Sequence, residues 1–171
     1  VTATVVKRSM QRAPVFMFRT AREARDFGEW LVENFAGARA AAESTTRVGK
    51  LFEVEQYPVG NLLYLRFNYT TGDAAGQNMT GKATFAACEW IRATHPLHPK
   101  YMLSGGIDTD KKHSAINTLR TRGRRVVAEA VIKNEVLERI MRVDTRTLFR
   151  ARQVSNAGAL LAGNAYNGPH A

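Results

Sequence analysis

Apolar residues recur at two periods along this chain, and the switches between them lay out its elements. Residues 13–19 (APVFMFR) form a short apolar run and predict a strand. Phe27, Trp30, Leu31, Asn34 and Phe35 keep the spacing of one helical face, and all but Asn34 are apolar. A helix with one buried side follows, opened by Thr20 as N-cap with Glu23 three residues on and ended at Gly37. The alanine-rich residues 38–43 predict a second, short helix. Residues 50–57 and 62–71 alternate as strands on either side of a PVGN turn, which predicts a hairpin. Leu63, Leu65, Phe67 and Tyr69 then share one face and Tyr64 takes the other. Met79, Ala83, Ala86, Ala87, Trp90 and Ile91 mark an amphipathic helix stopped by His95 and Pro96. Residues 101–103 predict a short strand and residues 126–132 a buried one. Asn134 is expected to cap a helix carrying Val136, Leu137, Ile140 and Met141, and a last helix is expected from Thr145 to Leu161. Residues 1–12 show no helical stripe and are given no element, and residues 164–171 read as turns.

The first two-thirds thus read strand, helix, strand, strand, helix, strand. That order is the split βαβ, or ferredoxin-like, layout: an α+β fold with an antiparallel sheet and helices on one face. The last third reads as a piece of another layer. With 171 residues and 44% hydrophobic content, the chain fits one domain or one domain plus part of a second.

Charge adds a preference for anions: 25 Lys and Arg stand against 15 Asp and Glu, a net charge of +10. Nucleic acid, an acidic membrane surface and phosphate-bearing cofactors all suit it. No apolar run approaches the ~20 residues of a membrane span. The single cysteine, Cys88, excludes a disulfide framework and sits among core-type positions of a helix, and it suits a reducing compartment. The four histidines lack ligand spacing on one element, so no metal site is expected. The chain opens on Val1, not Met, which predicts that something preceding it was removed.

Two loops carry candidate chemistry. Residues 71–79 (TGDAAGQNM) join a strand to a helix; free N–H groups at a helix start hold phosphates, and Gly72 and Gly76 let backbone approach a ligand. Asp73 could equally serve as an ordinary helix cap. Upstream, residues 44–50 (STTRVGK) gather hydroxyls, Arg47 and Lys50, which suit a phosphate monoester or simply a capped, charged surface loop. Residues 104–112 (SGGIDTDKK) place two acids against adjacent lysines. A lysine held beside a carboxylate can stabilise an oxyanion formed by hydride delivery; an exposed charged loop is the alternative.

Taken together, these segments resemble class I 3-hydroxy-3-methylglutaryl-CoA (HMG-CoA) reductases, the class of eukaryotes and archaea. The matches run in order: RAPV at residues 12–15, TTR with KL at 45–51, GNLLYLRF at 60–67, TGDAAGQNM at 71–79, TDKK with AIN at 109–117, RG with VVAEAV at 122–131, and YN with HA at 166–171. The resemblance implies NADP(H)-dependent reduction of HMG-CoA to mevalonate by two hydride transfers. It divides the chain into an incoming large-domain segment (1–12), a ferredoxin-like NADP(H)-binding small domain (13–106), and the lysine loop with part of the large, substrate-binding domain (107–171). It implies that Asp73, Gly76, Gln77, Asn78 and Met79 line the cofactor site and that Thr46 and Arg47 meet its phosphates. Lys111 is the implied catalytic lysine, with Ser104, Asp110 and Lys112 on the HMG group.

The chain departs from the family at Met17 and Val154, where arginine and lysine are usual, at Gln77, where the family has an apolar residue, and at His113 in place of proline. The family's glutamate, aspartate and histidine motifs match nothing here, so the chain is expected to be an incomplete portion, inactive alone. HMG-CoA as substrate, a homo-oligomer with shared active sites and a cytoplasmic location complete the expectation. Two other readings compete. A nucleic-acid-binding module would use the ferredoxin-like layout, Tyr64, Phe67 and Tyr69, and the basic run RTRGRR at 120–125, though it lacks the basic-glycine-aromatic strand signature. A degenerate reductase-like binding subunit would explain Met17 and Val154.

Overall fold

The computed structural model describes residues 1–109 and 114–161. Its elements are β1 (Thr2–Arg12), β2 (Val15–Met17), α1 (Ala21–Glu33), α2 (Phe35–Glu43), β3 (Lys50–Val59), β4 (Leu62–Thr70), α3 (Gln77–Thr94), β5 (Lys100–Met102), α4 (Ala115–Arg120) and β6 (Gly123–Glu129). A helical turn α5 (Asn134–Val136) then runs into a π-helical segment, Leu137–Met141, before α6 (Thr145–Leu161). Contacts divide the chain into Val5–Val126 and a second unit of Val1–Thr4 with Val127–Ala171.

The fold is α+β. Six strands form one sheet in the order β5-β2-β4-β1-β6, with β3 on the other edge of β4. β1 and β2 are collinear halves of one edge partner of β4, split at Ala13 and Pro14: β1 pairs Arg12 with Phe67, and β2 pairs Val15 with Tyr64, both antiparallel. β3 and β5 pair antiparallel with β4 and β2. The core lies on the helix side. Leu63, Leu65, Phe67 and Tyr69 point into it with Phe16, Phe27, Leu31, Ala87 and Ile91, as strand alternation predicts. Cys88 is buried there, and burial pushes its thiol up from the ordinary value, so it packs as a small apolar side chain.

The capping box of α1 forms as predicted: Thr20 Oγ1 accepts from Glu23 N at 3.1 Å. Three expectations are corrected. Gly37 does not end a helix; it lies inside α2, where a Cβ would stand 2.2 Å from the Trp90 ring, so close packing rather than chain termination explains the glycine. Residues 1–12, given no element, form an eleven-residue strand whose buried stretch mixes Met10 with polar Ser9 and Gln11, which hides the alternation. The strand predicted as buried at 126–132 is β6, ending at Glu129, and it is exposed, with Val126 49% accessible, because it lies at the end of the strand order beside β1 alone among the described strands.

In the second unit, Asn134 does not cap α5; its Oδ1 accepts from Thr145 Oγ1 at 2.8 Å. Asp144 precedes α6 and accepts from Thr147 Oγ1 at 2.6 Å and from Thr147 N at 2.9 Å, the hydroxyl first and the N–H second holding its carboxyl below the usual range. Leu148, Phe149 and Val154 on α6 are exposed.

His95, beyond the end of α3, meets Trp30 at 4.8 Å and Phe27 at 5.2 Å, edge to face, and is 7% exposed. Burial first, and His98 second, lower its pKa from the ordinary 6.5. The unfolded chain therefore binds this proton more readily than the folded one. The stability contributed by neutral His95 is present above the unfolded pKa and is lost as pH falls through and below it. Melting temperature is expected to drop between pH 7 and pH 5.5 more steeply in the wild type than in His95→Gln; equal slopes would refute the role.

Candidate functional site

β4 delivers the chain to the Thr71–Gln77 turn, and α3 starts there. Gly76 is the N-cap, at φ +81°, and no side chain caps the helix among the described residues. Asp73 therefore does not cap it, contrary to one reading of the sequence; it is exposed four residues short of the helix, and its carbonyl accepts from Arg124 Nη2 at 3.1 Å. A left-handed residue lets the chain enter α3 with its first N–H groups turned outward, a position that an anion suits.

The loop between α2 and β3 packs against this helix start. A Cβ at Gly49 would stand 2.4 Å from Met79 Sδ, and one at Gly72 would stand 3.1 Å from Val48 Cγ1. The loop that carries Thr46 and Arg47 thereby meets Met79 in the first turn of α3, some thirty residues away in sequence. Within the loop the polar groups divide their work. Ser44 and Thr45 donate to the last carbonyls of α2, at 2.8 and 2.9 Å. Lys50 is taken by Glu43 at 2.9 Å. Burial raises the Glu43 carboxyl, but Lys50 and Arg39 outweigh it and hold the group below its ordinary value. Thr46 Oγ1 accepts from Val48 N and Gly49 N, which leaves its O–H to donate. Arg47 is exposed, with no partner among the described residues.

Of the second predicted loop, Ser104 is described, and Asp110, Lys111 and Lys112 lie outside the described residues. Ser104 Oγ donates to Asp108 Oδ2 at 3.1 Å, and Arg12 Nη1 meets the same oxygen at 3.0 Å. A Cβ at Gly81, on the second turn of α3, would stand 3.6 Å from Arg12 Nη2. Arg12 thus links the helix of the first loop to the second, a connection that the sequence did not signal. Met17 and Arg19 lie elsewhere, beside a shallow cleft with Leu97 and Lys100, and Arg19 is paired with Glu23 at 2.7 Å.

The face of the sheet away from the helices is polar and mostly buried. Arg66, on β4, is fully buried; its Nη2 donates to Asn117 Oδ1 at 3.2 Å and to the Thr121 carbonyl at 3.3 Å, and Nη1 lies 3.6 Å from Glu55. Arg120 approaches Glu55 at 3.8 Å, Arg122 donates to the Gln11 carbonyl, and Arg125 donates to the Thr118 carbonyl. The basic run at 120–125 is committed internally at Arg120, Arg122, Arg124 and Arg125. Phe67 and Tyr69 are buried under the helices, so no row of aromatic rings faces outward on β4.

A family model described as hydroxymethylglutaryl-coenzyme A reductase matches residues 1–171. The chain belongs to the class I HMG-CoA reductase family. It is 45% identical over 137 residues to the 3-hydroxy-3-methylglutaryl-coenzyme A reductase of Haloferax volcanii, which covers 80% of this chain and 34% of that protein. It is 35% identical over 169 residues to that of Aeropyrum pernix, 98% of this chain and 39% of the relative. For the reductase of Agrotis ipsilon the figures are 37% over 167 residues, 96% of this chain and 20% of the relative. The chain therefore spans two-fifths or less of the length of these HMG-CoA reductases. No helix among the described residues is long and apolar enough to cross a membrane, and no group of three or more metal-ligating side chains occurs among them.

Proposed function

We propose that this chain carries the dinucleotide-binding domain and the lysine segment of an NADP(H)-dependent reductase that converts HMG-CoA to mevalonate. The observation that carries the reading is the packing of the 46–49 loop on Met79 and Gly72. It sets an unpartnered arginine and a free hydroxyl beside an uncapped helix start, a donor set that fits phosphates. The strand order β5-β2-β4-β3, antiparallel throughout with α1, α2 and α3 on one face, supports a ferredoxin-like domain over residues 13–106. In this reading residues 1–12 and 107–171 belong to the large domain.

NADP(H), when bound, supplies the hydride. Gly76 and the first N–H groups of α3 would hold its diphosphate, with Asp73, Gln77, Asn78 and Met79 around it. Thr46 would donate to a phosphate and Arg47 would grip the 2′-phosphate, which selects NADP(H) over NAD(H). Lys111 would neutralise the oxyanion that forms as the thioester carbonyl is reduced, with Ser104, Asp110 and Lys112 on the HMG carboxylate and hydroxyl. No residue here matches the family's catalytic glutamate, aspartate or histidine, so the 171-residue stretch alone is expected to release no mevalonate. A homo-oligomer with shared sites and a cytoplasmic location, consistent with one buried thiol, complete the proposal. Internally bonded arginines and buried strand aromatics disfavour the nucleic-acid reading.

Titration calorimetry with NADPH, NADH and a single-stranded RNA oligonucleotide tests it. Arg47→Ala is expected to weaken NADPH binding about tenfold or more, equivalent to ~1.4 kcal/mol, and to leave NADH binding unchanged. Equal losses for both nucleotides would remove Arg47 from the 2′-phosphate. Salt-sensitive RNA binding with no nucleotide response would overturn the reductase reading.

A further inference from the structure

The turn over residues 104–108 is fastened to the sheet at two points. Gly105 N donates to the Ala13 carbonyl at 2.7 Å, and a Cβ at Gly105 would stand 2.9 Å from the Tyr64 ring. Asp108, 7% exposed, meets Arg12 Nη1 at 3.0 Å through Oδ2. Arg12 and Ala13 are consecutive, so one stretch of chain grips the turn near both of its ends.

Ser104 Oγ reaches the same oxygen, Asp108 Oδ2, at 3.1 Å. One carboxylate oxygen thus receives two donors, and it fixes the direction of the serine proton. A carboxylate only accepts, so the single O–H of Ser104 is committed to Asp108. Ser104 is itself exposed, and its Oγ makes no other side-chain hydrogen bond among the described residues. What Oγ presents to a ligand is lone pairs alone.

The HMG group offers a carboxylate, a thioester carbonyl and one tertiary hydroxyl. The first two only accept. The hydroxyl is the sole donor, and so the sole group that a serine in this state can bind. A serine with a free rotor would turn its proton to the carboxylate instead, since a hydrogen bond to a charged acceptor is the stronger one.

We infer that Asp108, held by Arg12, is a positioning residue that commits the Ser104 proton and so makes Ser104 the acceptor for the substrate's tertiary hydroxyl. This role rests on the reductase reading, in which Ser104 contacts the HMG group. It makes the three residues a specificity determinant for a 3-hydroxyacyl thioester over its 3-deoxy counterpart. Asp108 and Arg12 touch no substrate in this role; they act through Ser104.

The test uses the full-length reductase carrying these residues, with NADPH and two thioesters: HMG-CoA, and 3-methylglutaryl-CoA, which lacks the hydroxyl. The readout is the ratio of kcat/KM for the two. Ser104→Ala is expected to lower kcat/KM for HMG-CoA about tenfold, the scale of one hydrogen bond. The deoxy thioester should be nearly unaffected, so the ratio falls by that factor. Asp108→Ala should lower the ratio by a similar factor, and the double variant Ser104→Ala/Asp108→Ala by no more than Ser104→Ala alone. Asp108→Asn should keep the wild-type ratio, because its amide oxygen can take the place of Oδ2 between the same two donors. A loss in Asp108→Ala that strikes both thioesters equally would reduce the pair to a structural brace and overturn the role. An unchanged ratio in Ser104→Ala would overturn it too. If Asp108→Ala does not fold, Arg12→Met/Asp108→Leu, which removes both charges and keeps the volume, decides by the same rule. Absence of mevalonate from the wild type would instead sink the reductase reading, and this role with it.

Discussion

Arg66→Ala is expected to destabilise the chain by about 3–5 kcal/mol, the usual cost of removing one partner of a buried ion pair. Arg66 has no exposed side-chain surface and Glu55 only 8%. Two effects oppose. The guanidinium is poorly served where it lies, since its Nε and Nη1 have no hydrogen-bond partner among the described residues. Burial pushes its pKa down, and Glu55 only partly restores it. Deleting it relieves that desolvation. Deletion also strips Glu55 of its nearest cation, leaving the Tyr57 hydroxyl at 2.5 Å and a distant Arg120, and it unfastens Asn117 and the Thr121 carbonyl. The second effect wins, because a buried carboxylate without its cation is worse than a strained pair. Glu55→Gln/Arg66→Met, which removes both charges and keeps the volume, should lose clearly less. Urea unfolding of the three variants measures this. An alanine variant within about 1 kcal/mol of wild type, the scale of an exposed pair, would show that Arg66 and Glu55 do not act as a unit.

Gly76→Ala should cost about 2 kcal/mol from backbone strain and crowding together and should weaken NADPH binding at least tenfold. Gly76 has φ +81°, and an added methyl would stand 2.5 Å from Thr71 Cγ2. Threonine is stiff about χ1, so that methyl cannot swing aside without moving the turn. Any shift displaces the first N–H groups of α3. Gly106→Ala is the control: φ is +91° there too, with nothing within 4 Å of the new Cβ. Its stability loss reports strain alone. Thermal melts of both variants, with calorimetry for Gly76→Ala, separate the contributions. A Gly76 variant no less stable than the Gly106 variant would mean that the turn yields freely.

What could be read from the sequence, and what could not, follows from the range of each interaction. The hairpin of β3 and β4 was legible because one face of β4 is uniformly apolar from Leu63 to Tyr69. α1 was legible because its cap and its apolar stripe are local. β1 was not, since Ser9 and Gln11 are buried by contacts rather than by hydrophobicity. The two loops of the site stand out as glycine-rich, charged departures from periodicity, but their neighbours do not. Asn117 meets Arg66 across 51 residues of chain and Arg12 meets Asp108 across 96. No window on the sequence spans such pairs. Arg66 left one trace, a charge between Leu65 and Phe67 in the middle of a strand that is otherwise well buried.

β3 pairs with β4 alone among the described strands, so one flank of the sheet ends in unbonded backbone. Such a border invites another chain to extend the sheet. Here the invitation is withdrawn along most of its length. The register slips between Leu51 and Glu53, which breaks the straight run of donors and acceptors. Pro58 removes a donor further on, and exposed Glu53 puts negative charge beside the slip. Phe52, nearly half exposed beside that slip, is a greasy spot on a border too irregular to template a second strand. The same irregularity that interrupts the ladder keeps copies of this domain from zipping together during synthesis, when the strand is made before the helix α3 that completes its core.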